Sequence, residues 1–135
     1  MPHDVNKVGT PEEWLKRAKS NLAIARQPRT NEIYLEDLCF EVQQAAEKAL
    51  KAVLLHKNIQ FRFVHDIAEF LTLLEQNGMT LSEEIKAAAM LTDYSVEARY
   101  PGPFESVTEE EFQEALNIAE KVVKWAESKI TPQSQ

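Results

Sequence analysis

The chain is poor in glycine, with three residues in 135, and it holds a single cysteine and three histidines. So few glycines argue against a barrel or sandwich crowded with tight turns. One thiol, Cys39, cannot close an intramolecular disulfide, so nothing points to an oxidising compartment. One cysteine and scattered histidines make a poor zinc site. Neither His-Glu-x-x-His nor Glu-x-x-His occurs, which disfavours a di-metal carboxylate bundle. Glycine-rich phosphate loops are missing too. No apolar run approaches the ~20 residues needed to span a bilayer, and the opening Met-Pro-His-Asp-Val-Asn-Lys has no apolar signal-peptide segment. The expectation is a cytoplasmic protein with no metal, no cofactor and no membrane partner.

What is present is an ordinary globular composition, 44% hydrophobic and 27% charged, at a length suited to one domain. The net charge of −7 weighs against a surface that coats nucleic acid throughout, since phosphate contacts need cations. It leaves room for a small local basic site.

Apolar spacing predicts about five helices and no strands. Thr10-Pro-Glu-Glu13 supplies a start, with Trp14, Leu15, Ala18, Leu22 and Ala25 on one face and Pro28 as the stop. A second helix over 34–57 places residues 35, 38, 39, 42, 45, 46, 49, 50 and 53 in an apolar arc of about 120°. Its opposite side carries Glu36, Gln43, Gln44, Glu47, Lys48 and Lys51, and Asn58 ends it. Asp66 is a natural cap for a third, shorter helix through Ile67, Phe70, Leu71 and Leu74, which Asn77-Gly78 terminates. A capping box at Thr80–Glu83 would open a fourth helix, with Ile85, Ala88, Leu91 and Tyr94 inward, running to about Ala98. After Pro101-Gly-Pro103, Thr108–Glu111 starts the last helix, where Ile118 and Trp125 form a second apolar stripe. Left uncovered, that stripe would suit a partner subunit. The expected architecture is an all-α, antiparallel up-down bundle with a four-helix-like core over 10–130. A loose arm precedes it over 1–9 and a frayed tail follows over 131–135.

Packing leaves three features without a role. The Gln43, Gln44, Glu47, Lys48, Lys51 stripe reads either as a solvated face with i,i+4 pairs or as the polar wall of a cleft, its amides and ammonium groups facing phosphate or a nucleobase. His65, beside the capping Asp66, either packs ahead of the third helix or serves as an acid/base. Arg99-Tyr-Pro-Gly-Pro103 is either a rigid helix stop or a corner projecting Arg99 toward phosphate. Tyr94 and Tyr100 could then stack or donate hydrogen bonds. Cys39, inside the apolar arc, reads as a small buried hydrophobe.

Taken together, Cys39-Phe-Glu-Val-Gln-Gln-Ala-Ala-Glu-Lys-Ala-Leu-Lys-Ala52, Val64-His-Asp-Ile67, Tyr94, Ala98-Arg-Tyr-Pro101 and Ala115-Leu…Ala119-Glu…Trp125 resemble the HEPN domain, found in higher eukaryotic and prokaryotic nucleotide-binding proteins. The resemblance covers about residues 11–130. It implies a helical bundle, dimeric or higher, often paired with a minimal nucleotidyltransferase in a toxin–antitoxin-like module and associated with nucleotide or RNA. Some members are metal-independent ribonucleases that carry an Arg, a spacer of four to six residues and a His. Arg99 matches the first element, but no histidine follows position 65. The leading expectation is a non-catalytic protein of this kind, with the residues left unexplained by packing, Gln43, Gln44, Lys48, Lys51, Tyr94, Arg99 and Tyr100, as its ligand-binding candidates. The alternatives are a ribonuclease using Arg99 and His65, or a purely structural interaction module.

Overall fold

Backbone groups at each helix end find partners close by in sequence, and these local choices set the element boundaries. The structure is a computed structural model that describes residues 9–94 and 107–131. The expected arm and tail, apart from Gly9 and Thr131, and the whole Arg-Tyr-Pro corner lie outside the described residues.

Helix α1 (Pro11–Ala25) begins where the Thr10 hydroxyl accepts the Glu13 N–H at 3.1 Å. Pro11 takes the first position, where no intrahelical N–H is needed. Helix α2 (Leu35–His56) stops at Asn58, which adopts φ +60. There the Ile59 N–H reaches the Leu54 carbonyl at 2.9 Å and the Asn58 N–H reaches Leu55 at 3.0 Å, a Schellman closure. Helix α3 (Ile67–Gln76) is capped by Asp66, which accepts the Ala68 N–H. It closes in the same way through Gly78 at φ +96.

The fourth helical segment departs from expectation. Its cap is Ser82, not Thr80, and α4 covers only Glu83–Lys86 before the chain tightens into a 3-10 helix over Ala87–Tyr94. The apolar spacing explains this. Ile85, Ala88, Leu91 and Tyr94 recur every three residues, and a helix with three residues per turn stacks such positions on one face. Ile85, Ala88 and Leu91 are buried there and Tyr94 is half-buried. Helix α5 (Glu109–Ile130) opens with the expected capping box, in which Thr108 and Glu111 each hold the other's backbone N–H.

The described elements form an all-α bundle. Helix α1 runs antiparallel to α2, since Trp14 meets Lys51 and Asn21 meets Glu41. It also runs antiparallel to α5, through Lys19–Glu127 and Arg26–Glu120. Helices α2 and α5 run the same way: Glu36, near the start of α2, accepts the Val107 N–H just ahead of α5. The excursion through α3 and α4 makes that return possible and closes the remaining side of α2.

Helix α2 is therefore surrounded, and every residue from Ala49 to Leu54 is buried. Ala45, Ala46, Ala49 and Ala52 are fully buried and let neighbouring helices approach closely. Ile118 and Trp125, expected to need a partner if left open, are partly buried against the same core.

Gly78→Ala tests the left-handed closure of α3. An added Cβ meets nothing within 4 Å, so the cost is purely conformational. A loss of about 1–2 kcal/mol is expected by urea unfolding, and an unchanged midpoint would contradict it.

Candidate functional site

The polar stripe of α2 faces inward. Gln43, Glu47 and Lys51 are 0%, 2% and 5% exposed, which overturns the solvated-face reading. The Glu47 carboxylate accepts from Gln43 Nε2 at 2.8 Å, Lys51 Nζ at 2.7 Å and His65 Nδ1 at 3.0 and 3.2 Å. Gln44 Nε2 extends the chain by donating to Gln43 Oε1 at 2.9 Å. One buried acid thus collects two donors from its own helix and a third from the connection ahead of α3.

Lys51 is held on its other side by aromatic rings. Its ammonium lies 5.3 Å from the Trp14 ring centre, 5.5 Å from Phe70 and 6.0 Å from Phe63. Burial raises the pKa of Glu47, but hydrogen bonds from Lys51, His65 and Gln43, with the Lys51 charge, outweigh it and hold the carboxyl below its ordinary value. Because a carboxylate only accepts, His65 Nδ1 carries the hydrogen, leaving Nε2 on a ring that is 59% exposed.

Lys48, the next residue along, behaves differently. It is half-buried and has no ion-pair partner among the described residues. Burial lowers its pKa, Glu41 raises it and Arg17 lowers it again. Nearby, Asn21 donates to Glu41 at 2.6 Å while its buried Oδ1 has no partner.

The structure therefore gathers His65, Gln43, Gln44 and Lys51 into one network, with Lys48 alongside. It does not bring Tyr94 there. The Tyr94 hydroxyl is pushed up by burial and by Cys39 and Glu111, near the start of α2, roughly 12 Å along the helix from Glu47. Arg99 and Tyr100 lie outside the described residues. Cys39 is buried, and burial followed by Glu36 and Glu111 pushes its thiol to about 12, which suits an inert hydrophobe. Among the described residues no cluster of His, Cys, Asp and Glu could hold a metal ion, and no described helix is long and apolar enough to cross a membrane.

Sequence reasoning missed the cage of Trp14, Phe63 and Phe70 and the structural role of Glu47. The available signal was the apolar run Ala49–Leu54 interrupted only by Lys51, which demands a buried counter-charge. A hollow of about 560 Å³ between α1 and α5, lined by Lys19, Arg26, Lys124 and Glu127 among others, contains none of the expected site residues. Two of its cations are neutralised by Glu127 and Glu120.

Removing one partner of the buried pair strands the other. Glu47→Ala or Lys51→Ala is expected to cost about 3–5 kcal/mol in urea unfolding, and Glu47→Leu with Lys51→Met far less. A carboxyl held low contributes fully above its ordinary value of 4.5 and loses that contribution as pH falls through the depressed value. The stability gap between wild type and Glu47→Gln should therefore shrink on acidification below 4.5. A pH-independent gap would contradict this assignment.

Comparison with known proteins places this geometry. None of the curated proteins matches the chain. Among solved structures, it is similar to TT1696 from Thermus thermophilus, with 31% identity, a TM-score of 0.75, and coverage of 90% of this chain and 98% of that one. It is also similar to ST0689, an archaeal HEPN homologue, with 29% identity, a TM-score of 0.71 and the same coverages. The model of the HEPN domain matches residues 11–129, nearly the full bundle, and the chain belongs to the HEPN family.

Proposed function

We propose that this chain is a non-catalytic HEPN protein that associates with nucleotide or RNA, assembles as a homodimer or larger oligomer, and partners a minimal nucleotidyltransferase in a toxin–antitoxin-like module. The observation that carries the choice of binding over cleavage is that no histidine follows Arg99 in the chain. With no histidine beyond it, His65 is the candidate proton shuttle, and its Nδ1 is tied into the network that neutralises Glu47. Gln43 and Lys51 are satisfied internally and buried, so the accessible donors of the stripe reduce to Gln44 and Lys48. Lys48 combines partial burial with an unpaired charge, which favours an anionic ligand.

The same contact also supports the second reading. A carboxylate that fixes the Nδ1–H tautomer leaves Nε2 as the lone-pair nitrogen of a ring that is 59% exposed, the arrangement of an oriented acid/base. Ribonuclease activity would then need a phosphate-stabilising cation such as Arg99 to reach it.

Incubation with varied RNAs in EDTA separates the two. The binding reading expects intact RNA, together with calorimetric heat on titration with AMP or ATP that falls as salt is raised. Lys48→Ala should weaken that binding by about tenfold, the scale of one charge-assisted hydrogen bond. Cleavage abolished by His65→Ala in a folded protein would replace the binding reading with the ribonuclease one. Absence of heat, together with no complex with a minimal nucleotidyltransferase, would overturn both ligand and partner.

A further inference from the structure

Charge is unevenly distributed along the chain. Two stretches, 14–31 and 48–65, contain nine of the fifteen Lys and Arg residues and none of the 22 Asp and Glu. The fold brings the start of the first against the second, with Trp14 over Lys51 and Arg17 close enough to Lys48 to lower its pKa.

The second stretch contributes to an aromatic ladder from core to solvent. Phe70 is fully buried, Phe61 packs edge-on to it at 5.7 Å, and Phe63 packs edge-on to Phe61 at 5.8 Å. Phe63 is 82% exposed, and its ring lies beside Phe61 and 6.0 Å from the Lys51 ammonium. A hollow of about 460 Å³ adjoins it, lined by Leu55, Asn58, Ile59, Gln60, Phe61 and Phe63. Its wall is therefore apolar and aromatic, with two side-chain amides at the rim. Lys57, exposed and without an ion pair among the described residues, lies in the same connection. So does Arg62, whose exposed guanidinium is braced by Glu69 at 2.6 and 3.0 Å. Carboxylates on this side include Glu69, held by Arg62, Asp66, which caps α3, and the buried Glu47, paired with Lys51.

An exposed ring beside amides and cations matches the chemistry of unpaired nucleic acid. Bases stack on aromatic faces without sequence preference, amides pair with base edges, and phosphates follow the cations. We propose that the hollow of the α2–α3 connection is a site for single-stranded RNA. One base stacks on Phe63, Asn58 and Gln60 face its edge, and flanking phosphates lie on Lys57 and Arg62. This rests on the reading that the protein associates with nucleotide or RNA, but it assigns the contact to a different surface from Gln44 and Lys48.

The test is fluorescence anisotropy with a labelled ten-nucleotide oligoadenylate RNA at low salt, alongside AMP and a duplex of equal length. The single strand should bind more tightly than either. Phe63→Ala should weaken it roughly tenfold, as expected for the loss of one base–aromatic stack, while Phe63→Trp retains it. Lys57→Ala should reduce the salt slope by about one. Because Phe63 is 82% exposed, both of its variants should stay folded at the assay temperature, as read by circular dichroism. Single-strand binding that is unchanged in Phe63→Ala and Lys57→Ala but lost in Lys48→Ala would overturn this site and leave the broader reading standing. Equal affinity for AMP or duplex would overturn the single-strand assignment. No binding of any probe would overturn both.

Discussion

The centre of this bundle is arranged around a carboxylate and an ammonium 2.7 Å apart, both almost wholly shut away from water. Desolvating either ion alone would cost several kcal/mol, so the two are tolerable in the interior only as a pair with their remaining valences filled. Gln43 and His65 fill those of Glu47, and three aromatic rings surround Lys51. These partners come from α1, α2, α3 and the connection between α2 and α3. One polar cluster therefore fixes the depth and rotation of the central helix relative to its neighbours, which purely apolar contacts specify less sharply.

Much of the architecture was legible because its determinants are local. Thr108 and Glu111 cap α5, Asp66 caps α3, and Asn58 and Gly78 end their helices through left-handed residues, as their types suggest. What was not legible depends on neighbours distant in sequence. An α-helical period of 3.6 assigns Gln43, Glu47 and Lys51 to the side opposite the apolar arc. That inference fails once a helix is covered on every side. The threefold spacing at Ile85, Ala88, Leu91 and Tyr94 fits an α-helical face over so short a run, yet it marks a 3-10 helix from Ala87 onward. His65 could be named as chemically interesting, whereas its partner eighteen residues earlier required the tertiary structure.

The HEPN membership and the polar cluster constrain function from different directions. Membership carries the fold; the chemistry still has to be argued from side chains. Here the residues that first looked like ligand donors divide into two groups. Gln43 and Lys51 belong to the interior, while Lys48 is half-buried and has no ion-pair partner among the described residues. The cations of the α1–α5 hollow are largely matched by carboxylates, whereas the α2–α3 connection offers an aromatic ring and Lys57 without such a match. Anionic partners should therefore find more favourable ground at the end of α2 than in the α1–α5 hollow.

Cys39 offers a built-in gauge of how this bundle opens. It is the chain's one thiol, it sits at full burial on the central helix, and it stays protonated at neutral pH. An alkylating reagent can reach it only when the helices part around it, so labelling rate reports opening of the bundle where α2 and α5 begin.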